Sequence, residues 1–472
     1  MLFRSVFSLP TSAILYFDTL TNNANVRWSL TGPYGAIVSS RPFTATDAGS
    51  VSDPLLRLLP GDYTMTIDSF NGTTNSYAGR LVNLNVANPL PVGTPVTSAL
   101  SPANETDFHK FTAAAGDQIY IDRISGTNLT NTTWRIVDPY GKIITSQGYT
   151  STVTNTLVSA GSYTVLVEGR ISDTGTTPYS FKIVKVGSVP PPAFTGVPLV
   201  VGQIVSSNLL AGTTNFYVFT NGASARLMFD MLTNYVNQPN WSLEGPSGLV
   251  VDRRPFTSSD GLNNGYLQLE YPAGVYQLRV QGNFSANYSF RLLNVTNATP
   301  ISIGVTNLVT LAPPTETKIF RFDVPSGGRF FFDYLSQSGI PNAYWRLFDP
   351  NGQQLFSHYF TQDEPTRPLN LPGTYVLTIE GYYGQAGTTG SGSFIIRPVV
   401  DGLQALSLDT PVNGAITAPG QAQRYTFTLS SPTKVVFDAL TNNSNMRWSL
   451  DGPSGSVVNN NSFTSDSVYW GS

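Results

Sequence analysis

Five aspartates recur along this chain at nearly constant spacing: Asp18, Asp122, Asp230, Asp333 and Asp438. Carboxylate oxygens are hard ligands, so a repeated Asp is first of all a candidate for calcium. A second acidic position follows four of them, in "RPFTATD", "RPFTSSD", "YFTQD" and "SFTSD", which supplies Asp47, Asp260, Asp363 and Asp466. Two carboxylates meeting in each unit would make a recurring metal site. The plainer reading is that the first Asp caps a strand end by accepting backbone N–H groups. A calcium loop gathers several oxygens, and the spacing D-x-[DN]-x-[DN]-G occurs nowhere. Both readings stay open at this point, and the metal ligands are unknown.

Other chemistry is thinly represented. There are two histidines, His109 and His358, separated by just over half the chain, and no cysteine. Thiol catalysis, disulfides and Cys-type zinc sites are therefore excluded. No G-x-S-x-G elbow, H-E-x-x-H or phosphate-binding loop is present, so no residue is assigned a catalytic or cofactor-binding role. Repeated tryptophans offer ring faces for sugar stacking. They stand in register with aliphatic residues, however, which favours core packing. Triplets such as Asn128-Leu-Thr130 matter only in a glycosylating host. The residues that do not repeat, Arg253/Arg254, Tyr382/Tyr383 and the "GQAGTTGSGS" loop from Gly384, form no recognisable constellation.

The elements that must position these side chains come from a repeat. Successive aspartates lie 104, 108, 103 and 105 residues apart. A tryptophan follows each (Trp28, Trp134, Trp241, Trp345, Trp448), and after it a Pro-x-Gly: Pro33/Gly35, Pro139/Gly141, Pro246/Gly248, Pro350/Gly352, Pro453/Gly455. Gly-x-Tyr recurs at Gly61/Tyr63, Gly161/Tyr163, Gly274/Tyr276 and Gly373/Tyr375, and aromatics such as Phe108/Phe111 and Phe216/Phe219 precede the Asp strand. "YTVLVEG", "YQLRVQG" and "YVLTIEG" alternate with period two, the mark of a half-buried strand. No window carries a 3.6-residue amphipathic period. Turn residues every 8 to 12 positions or so fit a sandwich. Pro presets φ in the turn and Gly accepts φ > 0, while the tyrosine hydroxyl is expected to cap nearby backbone.

The fold class expected is all-β, a tandem array of antiparallel sandwiches, jelly-roll or Ig-like, of about 105 residues each. Three whole units span 87–190, 197–296 and 297–400. Two truncated ones flank them, 1–86 lacking its first strand and 401–472 lacking its C-terminal strands. The chain thus reads as a piece of a longer protein, and "MLFRSVFSLPTSAILYF" as a strand and not a signal peptide, since Pro10 breaks its apolar run. Proline-rich joints such as "GSVPPPAFTGVP" are semi-rigid, so an extended rod is expected.

The second unit reads "ETDFHKFTAAAGDQIYIDRI…WRIVDPYGKII…AGSYTVLVEG…YSFKIVKV". It resembles the bacterial pre-peptidase C-terminal domain family, best over 87–190 and more loosely elsewhere. The resemblance implies a β-sandwich, secretion, and a non-catalytic role beside other modules, as in secreted proteases and large bacterial surface proteins. Some members bind calcium near the domain opening. That opening lacks a carboxylate cluster here, so calcium is not carried over and no cofactor is assigned.

Charge narrows the partners. Charged residues make up 12% and the net charge is −3, which is no electrostatic footprint for nucleic acid or an anionic membrane. No stretch of 18 apolar residues is present to span a membrane. The function expected is a non-enzymatic structural or adhesive region of a bacterial secreted or cell-surface protein. Its partners would be an extracellular protein or glycan and the neighbouring repeats of the same polypeptide. The alternative is a carbohydrate- or protein-binding accessory region of a secreted hydrolase whose catalytic domain lies outside these residues.

Overall fold

In Val26–Gly32 and Asn240–Gly245 the large apolar residues Trp28/Leu30 and Trp241/Leu243 alternate with polar ones, so one face can pack into a core. The computed structural model describes residues 3–33, 35–70, 72, 74–127, 129–190, 193–233, 239–258, 269–325 and 327–465. Their regular structure is strand, with short 3-10 turns. The chain divides into two compact units, Met1–Pro398 and Val399–Ser472.

Met1–Pro398 holds four sandwiches, and the second sets their pattern. One of its sheets has five strands, in the order Ile143–Gly148, Thr133–Val137, Gly161–Glu168, Thr106–Ala113 and Asn88–Pro89. The facing sheet has four, in the order Val153–Thr156, Asp117–Gly126, Thr177–Ser188 and Val96–Leu100. Neighbours are antiparallel, except that Asn88–Pro89 runs parallel to its partner. The third and fourth sandwiches repeat this order of five plus four. In the first the sheets have four and three strands. Each is one strand narrower than its counterpart in the second sandwich.

Each sandwich has its own core. Trp28, Trp134, Trp241 and Trp345 are all buried, each in a separate apolar cluster. The tyrosine of each Gly-x-Tyr stacks on the aromatic directly opposite it on the neighbouring strand. The stacked pairs are Phe7–Tyr63, Phe111–Tyr163, Phe219–Tyr276 and Phe322–Tyr375, with ring centroids 5.3, 5.5, 5.2 and 5.7 Å apart. Each hydroxyl donates to the carbonyl four residues earlier, at Leu59, Ser159, Pro272 and Leu371, over 2.7 to 2.9 Å. The two repeated turn motifs also touch. A Cβ added at Gly61, Gly161, Gly274 or Gly373 would fall 2.2 to 2.9 Å from the ring of Pro33, Pro139, Pro246 or Pro350. Those glycines have φ between +134° and +146°, so both space and backbone demand glycine.

The expectation of an extended rod does not hold within Met1–Pro398. Asn351 Nδ2 donates to the carbonyl of Pro60, 291 residues earlier, at 3.3 Å. Ser159 Oγ likewise reaches the carbonyl of Pro246. The fourth sandwich thus returns to the first, and the second touches the third. Linker stiffness sets spacing only where the modules do not bind one another; here they do.

Val399–Ser472, taken by itself, has a parallel strand pair, Gly402–Ala405 with Gln423–Thr426, and a hairpin, Arg447–Gly452 with Gly455–Ser462. Phe437 stacks on Trp448 at 4.0 Å. Most of its side chains are exposed, including Val436 and Leu440.

Candidate functional site

The repeated aspartate is held by a base on the adjoining strand. Asp18 and Arg80, Asp122 and Lys182, and Asp230 and Arg291 are directly opposed across antiparallel ladders. Their ion pairs measure 2.8, 3.2 and 2.6 Å, and Asp333–Arg397 makes a fourth at 2.6 Å. The capping role expected from the sequence is only part of this, for the principal partner is a cross-strand cation.

The environments then alternate. Asp122 and Asp333 are partly exposed, whereas Asp18 and Asp230 are fully buried and reach into the next sandwich. Asp18 accepts from the N–H of Thr106 at 3.1 Å, while Arg80 donates to the carbonyl of the same residue at 2.6 Å. Asp230 and Arg291 grip Thr317 in the same way, at 3.0 Å in both directions. An ion pair from one sandwich thus satisfies both backbone groups of the residue that opens a strand in the next.

More side chains meet at the same boundary. Glu105 accepts from Ser101 N–H at 2.7 Å and lies 3.4 Å from Arg80. Glu316 matches it, accepting from Ala312 N–H and pairing with Arg291. Asn104 donates to the Leu20 carbonyl, and Thr315 to that of Leu232. Arg135 pairs with Glu168 at 2.7 Å, both buried, and donates to the carbonyls of Ala48, Val51 and Ser52 in the first sandwich. Arg346 and Glu380 repeat that pair at 3.1 Å. Apolar side chains fill the remainder, with Tyr16, Leu84, Phe108 and Val137 in one boundary and Met228, Val295, Ile319 and Phe348 in the other. A 3-10 turn carries the chain across each: Leu84–Val86 is capped by Asn83, and Val295–Asn297 by Asn294.

Burial dominates the electrostatics. It lifts the carboxyl of Asp18 to about 6 and that of Asp47 to about 7, with hydrogen bonds from Thr106 and Thr19 opposing. The same cause raises Glu168, against the pull of Arg135, and raises Asp230, against that of Arg291. The second aspartate of the expected metal pair binds the peptide just after the first. Asp47 accepts from Thr19 N–H at 2.6 Å, and Asp363 from Tyr334 N–H at 2.9 Å. Asp260, Asp466 and Asn128 lie outside the described residues. Among the described residues no group of three metal-capable side chains comes together.

The histidines sit apart, one in the second sandwich and one in the fourth. His109 is buried, with Nε2 2.7 Å from the Tyr179 hydroxyl, which donates to Asp107 at 2.5 Å. Burial lowers its pKa, with the charge of Asp107 opposing. His358 accepts the Trp345 indole N–H at Nδ1 and meets Glu364 through Nε2. Of the unrepeated residues, Arg253 has φ +42° and donates its N–H to Ser242 Oγ. The same feature recurs at Ser40 with Ser29 and at Asn460 with Ser449. Tyr383 packs against the third sandwich's core. A shallow, open groove on the third sandwich is lined by Ser206, Ser207, Thr233, Asn287, Tyr288 and Ser289, and no tryptophan.

The buried boundary network was missed in the sequence, although the signal is there. The odd units read "FDTLTN", "FDMLTN" and "FDALTN" with "WSL", while the even ones read "WRIVDPYG" and "WRLFDPNG" with "VEG" and "IEG". Comparing alternate copies, and not successive ones, exposes Arg135, Glu168 and their counterparts.

No family model and no curated protein matches the chain. Among solved structures it is similar to the pre-peptidase C-terminal domain of a collagenase from Bacillus anthracis, at 18% identity over 21% of this chain and 93% of that one, with a TM-score of 0.18. It is also similar to the CUB1-EGF-CUB2 domains of rat MASP-1, at 7% identity over 43% of this chain and 99% of that one, with a TM-score of 0.16.

Proposed function

We propose that this chain is a non-catalytic structural and adhesive repeat region of a bacterial exported or cell-surface protein. The carrying observation is where the repeated chemistry lies. The tryptophans and tyrosines common to the four sandwiches sit inside separate cores, and the buried acids and bases sit between sandwiches in ion pairs. Residues of both kinds hold the array together. Its partners are an extracellular protein or glycan, met through many weak contacts whose avidity multiplies. It needs no metal or cofactor, so millimolar calcium leaves its melting temperature unchanged.

The test uses the full chain on a glycan array and on whole cells, beside a panel of peptide, ester and glycoside substrates. Binding without turnover is the adhesive outcome, and neither binding nor turnover is the spacer outcome. Turnover lost on His109→Ala or His358→Ala would overturn the reading.

A further inference from the structure

We propose that the unit of this array is a pair of sandwiches, odd with even, which folds and unfolds as one body, and that the junction from even to odd is where the array yields. Two independent copies of the same boundary support this. Between the first and second sandwiches, and again between the third and fourth, a fully buried Asp and its cross-strand Arg clamp the next strand's first peptide. The first boundary also has the buried Arg135–Glu168 pair, whose counterpart in the fourth sandwich is Arg346–Glu380, and each boundary has a side-chain bond back to a carbonyl of the odd unit and an apolar cluster. Removing either sandwich would break the hydrogen bonds that Asp18 and Arg80 make with Thr106, or Asp230 and Arg291 with Thr317, and open the apolar cluster to water.

The second-to-third junction is built otherwise. Ser159 with Pro246 is a loop-to-loop hydrogen bond, and among the described residues no apolar cluster bridges the two sandwiches. The acid–base pair at the position of Asp18–Arg80 is there Asp122–Lys182, a third exposed and turned to its own sheet. A coupling free energy therefore joins first to second and third to fourth, and little joins second to third.

Native-state hydrogen exchange on the full chain tests this. Leu30→Ala removes a buried side chain from the first core, and protection there falls by about a hundredfold. Coupled pairs require the same factor at Thr133–Val137 and Gly161–Glu168 of the second sandwich, with Asn240–Gly245 of the third unchanged. Should that variant fail to fold, Ile67→Val gives the same pattern at about three- to tenfold. Arg135→Met removes the ties to Ala48, Val51 and Ser52, so against that background adding Leu30→Ala should lower protection further in the first sandwich and not in the second. A loss confined to the first sandwich with Arg135 intact, or one that spreads equally into the third, would overturn the pairing.

Discussion

The phenol of Tyr16 donates to the carboxylate of Glu168 at 2.9 Å, across 152 residues of chain and the boundary between two sandwiches. Both side chains are fully buried, and the Tyr16 oxygen also accepts from Ala48 N–H at 3.2 Å. Tyr16 belongs to none of the motifs that define the repeat and Glu168 only closes the strand "YTVLVEG", yet together they tie one repeat to the next.

Tyr16→Phe keeps the ring and removes a donor to Glu168 and an acceptor for Ala48. A buried group left unsatisfied costs about 1–3 kcal/mol. The variant should lose that much stability in urea titration, with the far-UV spectrum unchanged. No loss would mean that water already serves these groups.

The acids of the first boundary make stability depend on pH. Asp47 rises to about 7 in the folded chain, against about 4 for a free aspartate. The folded state therefore holds a proton that the unfolded state releases between those values. Its contribution is complete below about pH 4 and is lost as pH rises through 7. Melting temperature should fall between pH 5 and pH 8, and Asp47→Asn should flatten that slope. His109, lowered by burial, pulls the opposite way, so the difference between the two proteins is the quantity to measure.

Gly274 and Pro246 should behave as one element. Gly274→Ala puts a methyl 2.2 Å from the Pro246 ring at φ +146°. Such a substitution destabilises by about 1–3 kcal/mol or more. Pro246→Ala removes the ring but not the backbone strain, so the double variant should lose less than the sum of the two. Strict additivity in thermal melts would show the contact to be incidental.

Residues 401–472 expressed alone should melt without a sharp transition. Their described strands form one parallel pair and one hairpin, and most of their apolar side chains are exposed. Two-stranded elements are marginal in water. A cooperative calorimetric peak would contradict this.

Local rules fix much of this molecule. The alternation around Trp134 and Tyr163 sets which face is buried, and that requires only a pleated strand. Pro139 and Gly161 mark the turns because φ preferences act within one or two residues. Hence the sandwich, its period and its cores were legible, as was a tyrosine hydroxyl capping nearby backbone. The roles of Asp18, Arg80, Arg135 and Glu168 were not. Each is an ordinary polar residue on a strand, and its burial depends on another sandwich packing over it. Sequence by itself determined the modules, because a module's core is made of near neighbours in a repeating pattern. Tertiary structure alone decided that they join in pairs, because burying a charge is tolerable only when a partner arrives from elsewhere in the chain, and no local pattern records that arrival.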